Sequence, residues 1–229
     1  MLGGLTGDAK TTGNNDVAIG YQALSTDVAG QNSVAVGYQA LTAQNFTTAT
    51  NSYNVAVGRS AGAAVTTGLQ NTLVGALAGD ALTDADNNVA LGYLALSADT
   101  LGSKSTALGQ RALGTQNFTT ATDSYNTAVG YQAGTAVTTG QNNTFLGGRS
   151  GLSTTTGGNN TALGKDSMYS TTVGLYNVAV GEGALYTNVD GSNSVAVGRL
   201  ALYTQDPATA TDMYNVAVGY TAGQAVTTG

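Results

Sequence analysis

The strongest constraint in this sequence is a five-residue pattern ending in glycine that returns at a fixed interval. It combines a polar residue, Val or Thr, usually Ala, an aliphatic residue and Gly, as in SVAVG at 33–37. The twelve copies end at Gly20, Gly37, Gly58, Gly75, Gly92, Gly109, Gly130, Gly147, Gly164, Gly181, Gly198 and Gly219, called the core glycines below. Leu2-Gly3 matches the end of a thirteenth copy. Successive core glycines are 17 residues apart, except in three intervals of 21. A short constant period predicts a solenoid with one coil per repeat.

The three longer intervals contain a four-residue insertion at one place in the repeat, within 44–53, 116–125 and 205–214. Insertions confined to one place predict a loop that leaves the path of the coil unchanged. Seventeen residues are too few for a helical repeat of roughly 33 or more, and the VAVG segment is rich in β-branched residues. The sequence therefore predicts an all-β fold, a parallel β-solenoid or β-roll with a 17-residue coil and three coils of 21.

The whole of 1–229 is expected to form a single repeat array of about 13 coils. The sequence opens and closes inside a repeat without atypical capping repeats, so we expect an array uncapped at both ends, a segment of a longer fibre. One coil buries few aliphatic side chains, which favours sharing apolar surface with copies of the same chain.

Strand residues alternate between two faces. We assign the residue before each core glycine, with the Val or Thr two places earlier, to the coil interior. The predicted structural repeat core is Val36, Val57, Val74, Leu91, Leu108, Val129, Leu146, Leu163, Val180, Val197 and Val218. The residue between these two positions is Ala in ten of twelve copies, the exceptions being Leu73 and Phe145, which indicates that the opposite face is covered at close range.

A recurrent asparagine also precedes the strand segment. It occurs as Asn71, Asn88, Asn143, Asn160, Asn177 and Asn215. An amide that returns once per coil predicts a ladder of side chains that satisfies buried polar groups along the solenoid.

Composition argues against catalysis and several kinds of ligand. The chain has no His and no Cys, only 9% charged residues, and a single glutamate, Glu182. It therefore lacks the usual nucleophile–base and zinc-ligand inventories, and we expect neither an enzyme nor a cofactor. The acidic cluster of Asp84, Asp86 and Asn87 does not recur, which favours a solvated turn over a Ca²⁺ site. A net charge of −6 without a basic stripe, and no apolar run of about 18 residues, predict no nucleic-acid binding and no membrane insertion.

Aromatic residues cluster around the insertions, and five of them are candidate surface contacts for glycans. These are Phe46, Tyr53, Phe118, Tyr125 and Tyr214. The alternative interpretation is that they cover the extra loop against the neighbouring coil. A second aromatic column follows the core glycines, with Tyr21, Tyr38, Tyr93, Tyr131 and Tyr220, and is expected at the surface or between chains.

Two families show similar repeats. NSVAVG, at 32–37 and 193–198, resembles the head repeats of trimeric autotransporter adhesins, in which each chain forms a β-roll and three chains pack around an axis. The longer unit at 126–151 more closely resembles the shafts of bacteriophage tail fibres. The resemblance implies a homotrimer, located in a virion tail fibre or at an extracellular or cell-surface site. It implies a glycan or protein of a host cell surface as the partner.

The leading functional hypothesis is a structural and adhesive fibre segment for host attachment. It acts as a rigid spacer, with weak glycan contacts from its lateral loops. One alternative is a self-assembling extracellular filament subunit, because unpaired coil edges permit addition. Another is an ice- or polysaccharide-binding solenoid, which requires Thr at constant spacing on one flat face. The recurrent TTG instead lies next to Gly in the variable loop.

Overall fold

The computed structural model describes residues 2–228, which contain short β-strands and no helix. The strands are β1 (Val17–Ile19), β2 (Gly30–Gln31), β3 (Val34–Val36), β4 (Thr50–Asn51), β5 (Val55–Val57), β6 (Thr72–Val74), β7 (Val89–Leu91), β8 (Gly102–Ser103), β9 (Thr106–Leu108), β10 (Thr122–Asp123), β11 (Thr127–Val129), β12 (Thr144–Leu146), β13 (Thr161–Leu163), β14 (Val178–Val180), β15 (Gly191–Ser192), β16 (Val195–Val197), β17 (Thr211–Asp212) and β18 (Val216–Val218). The twelve three-residue strands are the segments that immediately precede the core glycines.

The chain forms two compact units built from the same repeat. One comprises the residues up to Gln110 with Asn117–Asp123, and the other Arg111–Gln116 with the residues from Ser124 on. The three-residue strands pair in parallel in the order β1-β3-β5-β6-β7-β9 in the first unit and β11-β12-β13-β14-β16-β18 in the second. The predicted parallel β-solenoid is confirmed, with about twelve coils of roughly 17 residues.

The pairing register equals one repeat, so equivalent residues stand next to each other. Val36 pairs with Val57 and Val57 with Val74, as one coil per repeat requires. Leu2 forms a parallel bridge with Ile19, so the partial thirteenth copy follows the same path.

Two-residue strands appear only beside the insertions. They pair in parallel as β2 with β4, β8 with β10, and β15 with β17. The second member of each pair, β4, β10 and β17, lies inside an inserted segment. Among the described residues, a second strand in a coil forms beside the insertions alone.

Each coil turns its corners through positive φ angles at fixed positions. The core glycines have φ between 126° and 141°, a region in which only glycine is unstrained. Close stacking also requires glycine here, because a Cβ on Gly75 would lie 2.6 Å from the carbonyl oxygen of Gly92. Four residues after the core glycine, Leu24, Leu41 and their equivalents adopt φ near 50°. Leu41 is completely buried, and its burial offsets the strain of the left-handed conformation.

The assignment of the strand faces from sequence is wrong. In every three-residue strand the middle residue is buried and the outer two are not, so Ala35, Ala56 and their equivalents point into the coil. The predicted core residues Val36, Val57, Val74, Leu91, Leu108, Val129, Leu146, Leu163, Val180, Val197 and Val218 therefore point outward. The physical reason is space: the tightly turned coil already encloses the corner residues such as Leu41 and Leu96, which leaves room for little more than Ala at the middle of the strand.

The two exceptions in the alanine column confirm how tightly the interior is packed. Leu73 lies against Gly62 and Gly79, where an added Cβ would come within 2.7 Å of its methyl groups. Phe145 lies in the same way against Gly134 and Gly151. These glycines occupy the position that Leu or Met fills in other coils. A large side chain in the strand therefore replaces a large side chain at the corner, which conserves interior volume.

The predicted asparagine ladder is present, and most of its bonds join side chains to the backbone. Asn71 is fully buried; its Nδ2 donates to the carbonyl of Ala85, and its Oδ1 accepts from the backbone N–H of Asn88. Asn143, Asn160 and Asn177 repeat this pattern, with donor–acceptor distances of 2.8–3.1 Å. Asn215 is only half-buried and donates to Gln205. Each buried amide thus joins its own coil to the next.

Buried polar clusters anchor the inserted loops. Beside the first insertion, the fully buried Asp27 accepts N–H bonds from Gly30 and Phe46 at its Oδ1, and it pairs with Lys10 at 2.8 Å through its Oδ2. Gln44 donates to Asp27 and Ser33. Beside the second insertion, Asp99 likewise accepts from the N–H groups of Gly102 and Phe118. Beside the third, Gln205 donates to Asn188 and Ser194. Hydrogen bonding compensates the burial of these polar groups.

Candidate functional site: the outer face of the parallel strands

Within each unit, the outward positions of the three-residue strands form an uncharged surface of aliphatic and Thr side chains, which we call the aliphatic face. One column holds the residue before each core glycine, which is Val, Leu or Ile in every copy. The other column comprises Val17, Val34, Val55, Thr72, Val89, Thr106, Thr127, Thr144, Thr161, Val178, Val195 and Val216. In-register pairing places these side chains side by side at the spacing of parallel strands, about 4.8 Å.

The aliphatic face is partly accessible, and most of its residues are of intermediate exposure. Leu91 in the first unit and Leu146 in the second are each 47% exposed, although both belong to regular strands with neighbours on either side. Six strands per unit, each presenting two outward residues over a width of about 10 Å, give an apolar area of about 300 Å² within each unit. The largest apolar patch on a typical soluble monomer measures about 300–600 Å² and is often functional.

Tyrosines border this face along the column that follows the core glycines. Tyr21, Tyr38, Tyr93, Tyr131 and Tyr220 are all exposed, which confirms their predicted position at the surface. Tyr21 and Tyr38 stack with ring centroids 5.5 Å apart and an interplanar angle of 18°. Tyrosine combines a large apolar ring with a hydroxyl that tolerates water, a character suited to the border of an interface.

The five candidate glycan contacts divide into two groups. Tyr53, Tyr125 and Tyr214 are more than half exposed. Phe46 and Phe118 are only 7% and 4% exposed, so their prediction as surface contacts is wrong. Their backbone N–H groups bind the buried aspartates beneath the loops, which holds both rings against the coil. For these two residues the burial agrees with the alternative interpretation, in which the rings cover the extra loop.

The acidic turn near Asp84 is organised by hydrogen bonds between coils. Thr67 donates its hydroxyl to Asp84 at 2.7 Å, and the backbone N–H of Leu69 donates to Asp86 at 2.7 Å. Within residues 2–228, no group of three or more acidic, His or Cys side chains is arranged to hold a metal ion. In the same residues no helix of sufficient length and hydropathy to cross a membrane is present.

A second cluster, not among the residues predicted from the sequence, lies in the second unit. Tyr169, Tyr186 and Tyr203 form a continuous stack, with neighbouring ring centroids 4.9 Å apart and interplanar angles of 3° and 15°. Beside the stack is a surface groove of about 250 Å³, lined by Asp166, Glu182, Gly183, Tyr186, Leu200 and Tyr203. The detectable signal was the spacing: each tyrosine lies five residues after a core glycine, in three consecutive coils.

Charged side chains surround this groove in pairs. Arg149 contacts both carboxylate oxygens of Asp166 at 2.8 Å and lies over the ring of Tyr169, 5.3 Å from its centroid. Arg199 pairs with Glu182 at 3.0 Å. Desolvation, followed by the neighbouring Tyr169 and Tyr203, raises the pKa of the Tyr186 hydroxyl above its usual value of 10.0. The hydroxyl therefore remains protonated at neutral pH and is available as a hydrogen-bond donor.

Comparison with known proteins adds no relative: no protein-family model, no curated protein and no solved structure matches this chain.

Proposed function

We propose that this chain is a structural and adhesive segment of a fibre, assembled as a homotrimer through the aliphatic face. The observation that carries the proposal is the chemistry of that face: its outward positions are aliphatic or Thr in every three-residue strand, yet they remain accessible in the single chain. Burying this surface against other chains is favourable at about 25 cal/mol per Å² of apolar area.

A second copy of the chain is the partner that fits this face. The face carries no charged side chain that would select an oppositely charged partner. Its residues repeat at strand spacing, and a copy of the chain presents rows of side chains with the same spacing. Homo-oligomers close by symmetry through such self-complementary surfaces. The resemblance to tail-fibre shafts and adhesin heads supports three chains and a location in a virion tail fibre or at a cell surface.

In this proposal the solenoid acts as a stiff spacer that holds an attachment structure away from its particle or cell. The coils are tied together by parallel strand pairing and by buried asparagine bonds, so bending requires breaking several bonds at once. The exposed loop tyrosines Tyr53, Tyr125 and Tyr214 contribute weak contacts to glycans of a host surface. Three chains multiply such contacts, and multivalency converts weak binding into useful avidity.

Sedimentation equilibrium tests the proposal. We expect the wild-type chain to sediment at three times its monomer mass. We expect the double variant Leu91→Lys/Leu146→Lys to sediment as a folded monomer, because it places charges in the buried interface. The matched control is Gln110→Lys, since Arg59, Lys165 and Arg199 already occupy equivalent positions.

Two outcomes contradict the trimer, and a third contradicts the assigned interface. A wild-type monomer favours the ice- or polysaccharide-binding solenoid, and open-ended growth favours the filament subunit. A lysine double variant that assembles like the wild type places the interface elsewhere on the coil.

A further inference from the structure

We infer that the groove beside Tyr186 binds a single neutral sugar ring, such as a hexopyranose unit of a surface polysaccharide. This site would add to the weak glycan contacts that we propose for the exposed loop tyrosines. The inference rests on the adhesive part of the proposed function alone. It is independent of self-association through the aliphatic face.

Aromatic residues at the position of the tyrosine stack are confined to three coils, and the other coils show what the repeat carries there without a stack. At the position of Tyr169, Tyr186 and Tyr203, the remaining nine copies carry no aromatic residue. They hold Ser25, Thr42, Ala63, Asp80, Ser97, Gly114, Thr135, Leu152 and Gln224. The only glutamate of the chain, Glu182, lies in the same three coils. Departures from the repeat that concentrate in one place indicate a local purpose that coil stacking does not require.

Gly183 is the only glycine at its position in the twelve copies of the repeat. Two residues after the other core glycines the chain carries a side chain, such as Gln22, Gln39, Ser60 or Leu200. Gly183 leaves that position empty: an added Cβ would lie 2.8 Å from Leu200 and 3.5 Å from the ring of Tyr203. The groove therefore exists because one side chain is missing between Asp166 and Leu200. Its volume of about 250 Å³ is below that of clefts for drug-sized ligands, roughly 300–1,000 Å³, and leaves room for one sugar ring.

The lining selects the class of ligand. Asp166 and Glu182 repel an anion, whereas Arg149, Lys165 and Arg199, which pair with these two carboxylates, repel a cation. A neutral molecule with several hydroxyl donors satisfies both constraints, because carboxylate oxygens retain acceptor capacity after one ion pair. Leu200, Tyr186 and Tyr203, which line the groove, supply apolar contact for the C–H groups of a sugar ring.

The groove is also rigid, which lowers the entropic cost of binding. The tyrosine rings pack on one another in the stack. Arg149 lies over Tyr169 at one end of the stack and holds Asp166 by a hydrogen bond and an ion-pair contact. The side chains on this side of the groove are therefore held in place before a ligand binds.

Saturation-transfer NMR with simple sugars tests the inference. The probes are the methyl glycosides of glucose, galactose and mannose, with glucuronic acid and glucosamine as charged comparisons. We expect transfer to at least one neutral glycoside in the wild-type chain and weaker transfer to both charged sugars. Gly183→Gln, which restores the side chain found at Gln22 and Gln39, should weaken binding by about tenfold or more.

Ser60→Gln is the matched control, because it makes the same kind of change at the equivalent position of a distant coil. It should leave binding unchanged. Tyr186→Thr is a second variant, since Thr42 and Thr135 occupy the equivalent position, and it should weaken binding to a similar extent.

The inference is overturned if no neutral glycoside receives transfer, if a charged sugar binds best, or if Gly183→Gln and Tyr186→Thr bind like the wild type. Sedimentation of the same samples reports self-association separately. A wild-type trimer without sugar binding would contradict the groove alone, and sugar binding by a monomer would contradict the trimer alone.

Discussion

At the scale of single residues, the fold depends on which side chains tolerate the narrow interior and the left-handed corners. Leucine occupies a corner with φ near 50° in many coils because it is buried there. Asp80 is poorly matched to its place, since one of its carboxylate oxygens is buried and has no hydrogen-bond partner among the described residues. Burial raises the pKa of the Asp80 carboxyl above its usual 3.8, although its own backbone N–H opposes the shift.

The effect of Asp80 on stability should therefore depend on pH. A carboxyl whose pKa is raised by folding favours the folded state when protonated, and this contribution is lost as the pH rises through the folded pKa. We expect Asp80→Asn to unfold at a higher denaturant concentration than the wild type at about pH 7, with little difference at about pH 3. Chemical denaturation at both pH values measures the effect. Equal midpoints at neutral pH would show that the carboxylate is adequately solvated.

At the scale of the coil, large and small residues are exchanged between the strand and the corner that follows it. Coils with Ala at the middle of the strand generally carry Leu or Met at the corner, whereas Leu73 lies between Gly62 and Gly79. This is one packing unit, and changing either partner alone should disturb it.

A double-mutant cycle tests this exchange. Leu73→Ala should destabilise the fold by about 2–5 kcal/mol through the cavity that it leaves. Gly79→Leu alone should also destabilise it, because the added side chain overlaps Leu73. The double variant should recover part of both losses, since Leu already adopts this backbone conformation at Leu24 and Leu96. Strict additivity of the two losses in denaturant unfolding would refute the compensation.

At the scale of the whole molecule, one complete repeat is the unit that can be inserted or deleted while the fold is kept. Equivalent residues pair between neighbouring coils at an offset of one repeat, as Ala162 does with Ala179 and Ala179 with Ala196. Removing one complete coil therefore brings together residues of the same kind.

Deletion of residues 165–181 should leave a folded chain with a β-rich circular dichroism spectrum and cooperative unfolding. It joins Gly164 to Glu182 and keeps Leu185 at the corner where Met168 stood. Deletion of residues 165–172 is the control, because the nine remaining residues of that repeat cannot complete a coil. If both deletions unfold alike, the coil is not the unit of stability.

The 17-residue period and the constant position of the four-residue insertions predicted the solenoid, because every coil packs on its neighbours in the same way. The two faces of the strand could not be distinguished in the same way, since both carry apolar residues. Which of Ala56 and Val57 points into the coil depends on the width of the coil. The backbone conformation at the corners determines that width, and the hydrophobicity of the strand residues does not. Uniform Ala was the available signal: a position that accepts almost nothing larger is enclosed. The groove beside Tyr186 depends on stacked rings and on the missing side chain at Gly183, and the sequence does not show which tyrosines stack.

The asparagine ladder gives the solenoid a direction. Asn71 donates to Ala85 and accepts from Asn88, and both partners lie later in the sequence. During synthesis, the last completed coil therefore presents asparagine amides whose hydrogen-bond partners lie in the next coil to emerge from the ribosome. Each new coil can bind to the preceding one as soon as it emerges, so the coils can fold in the order in which they are synthesised.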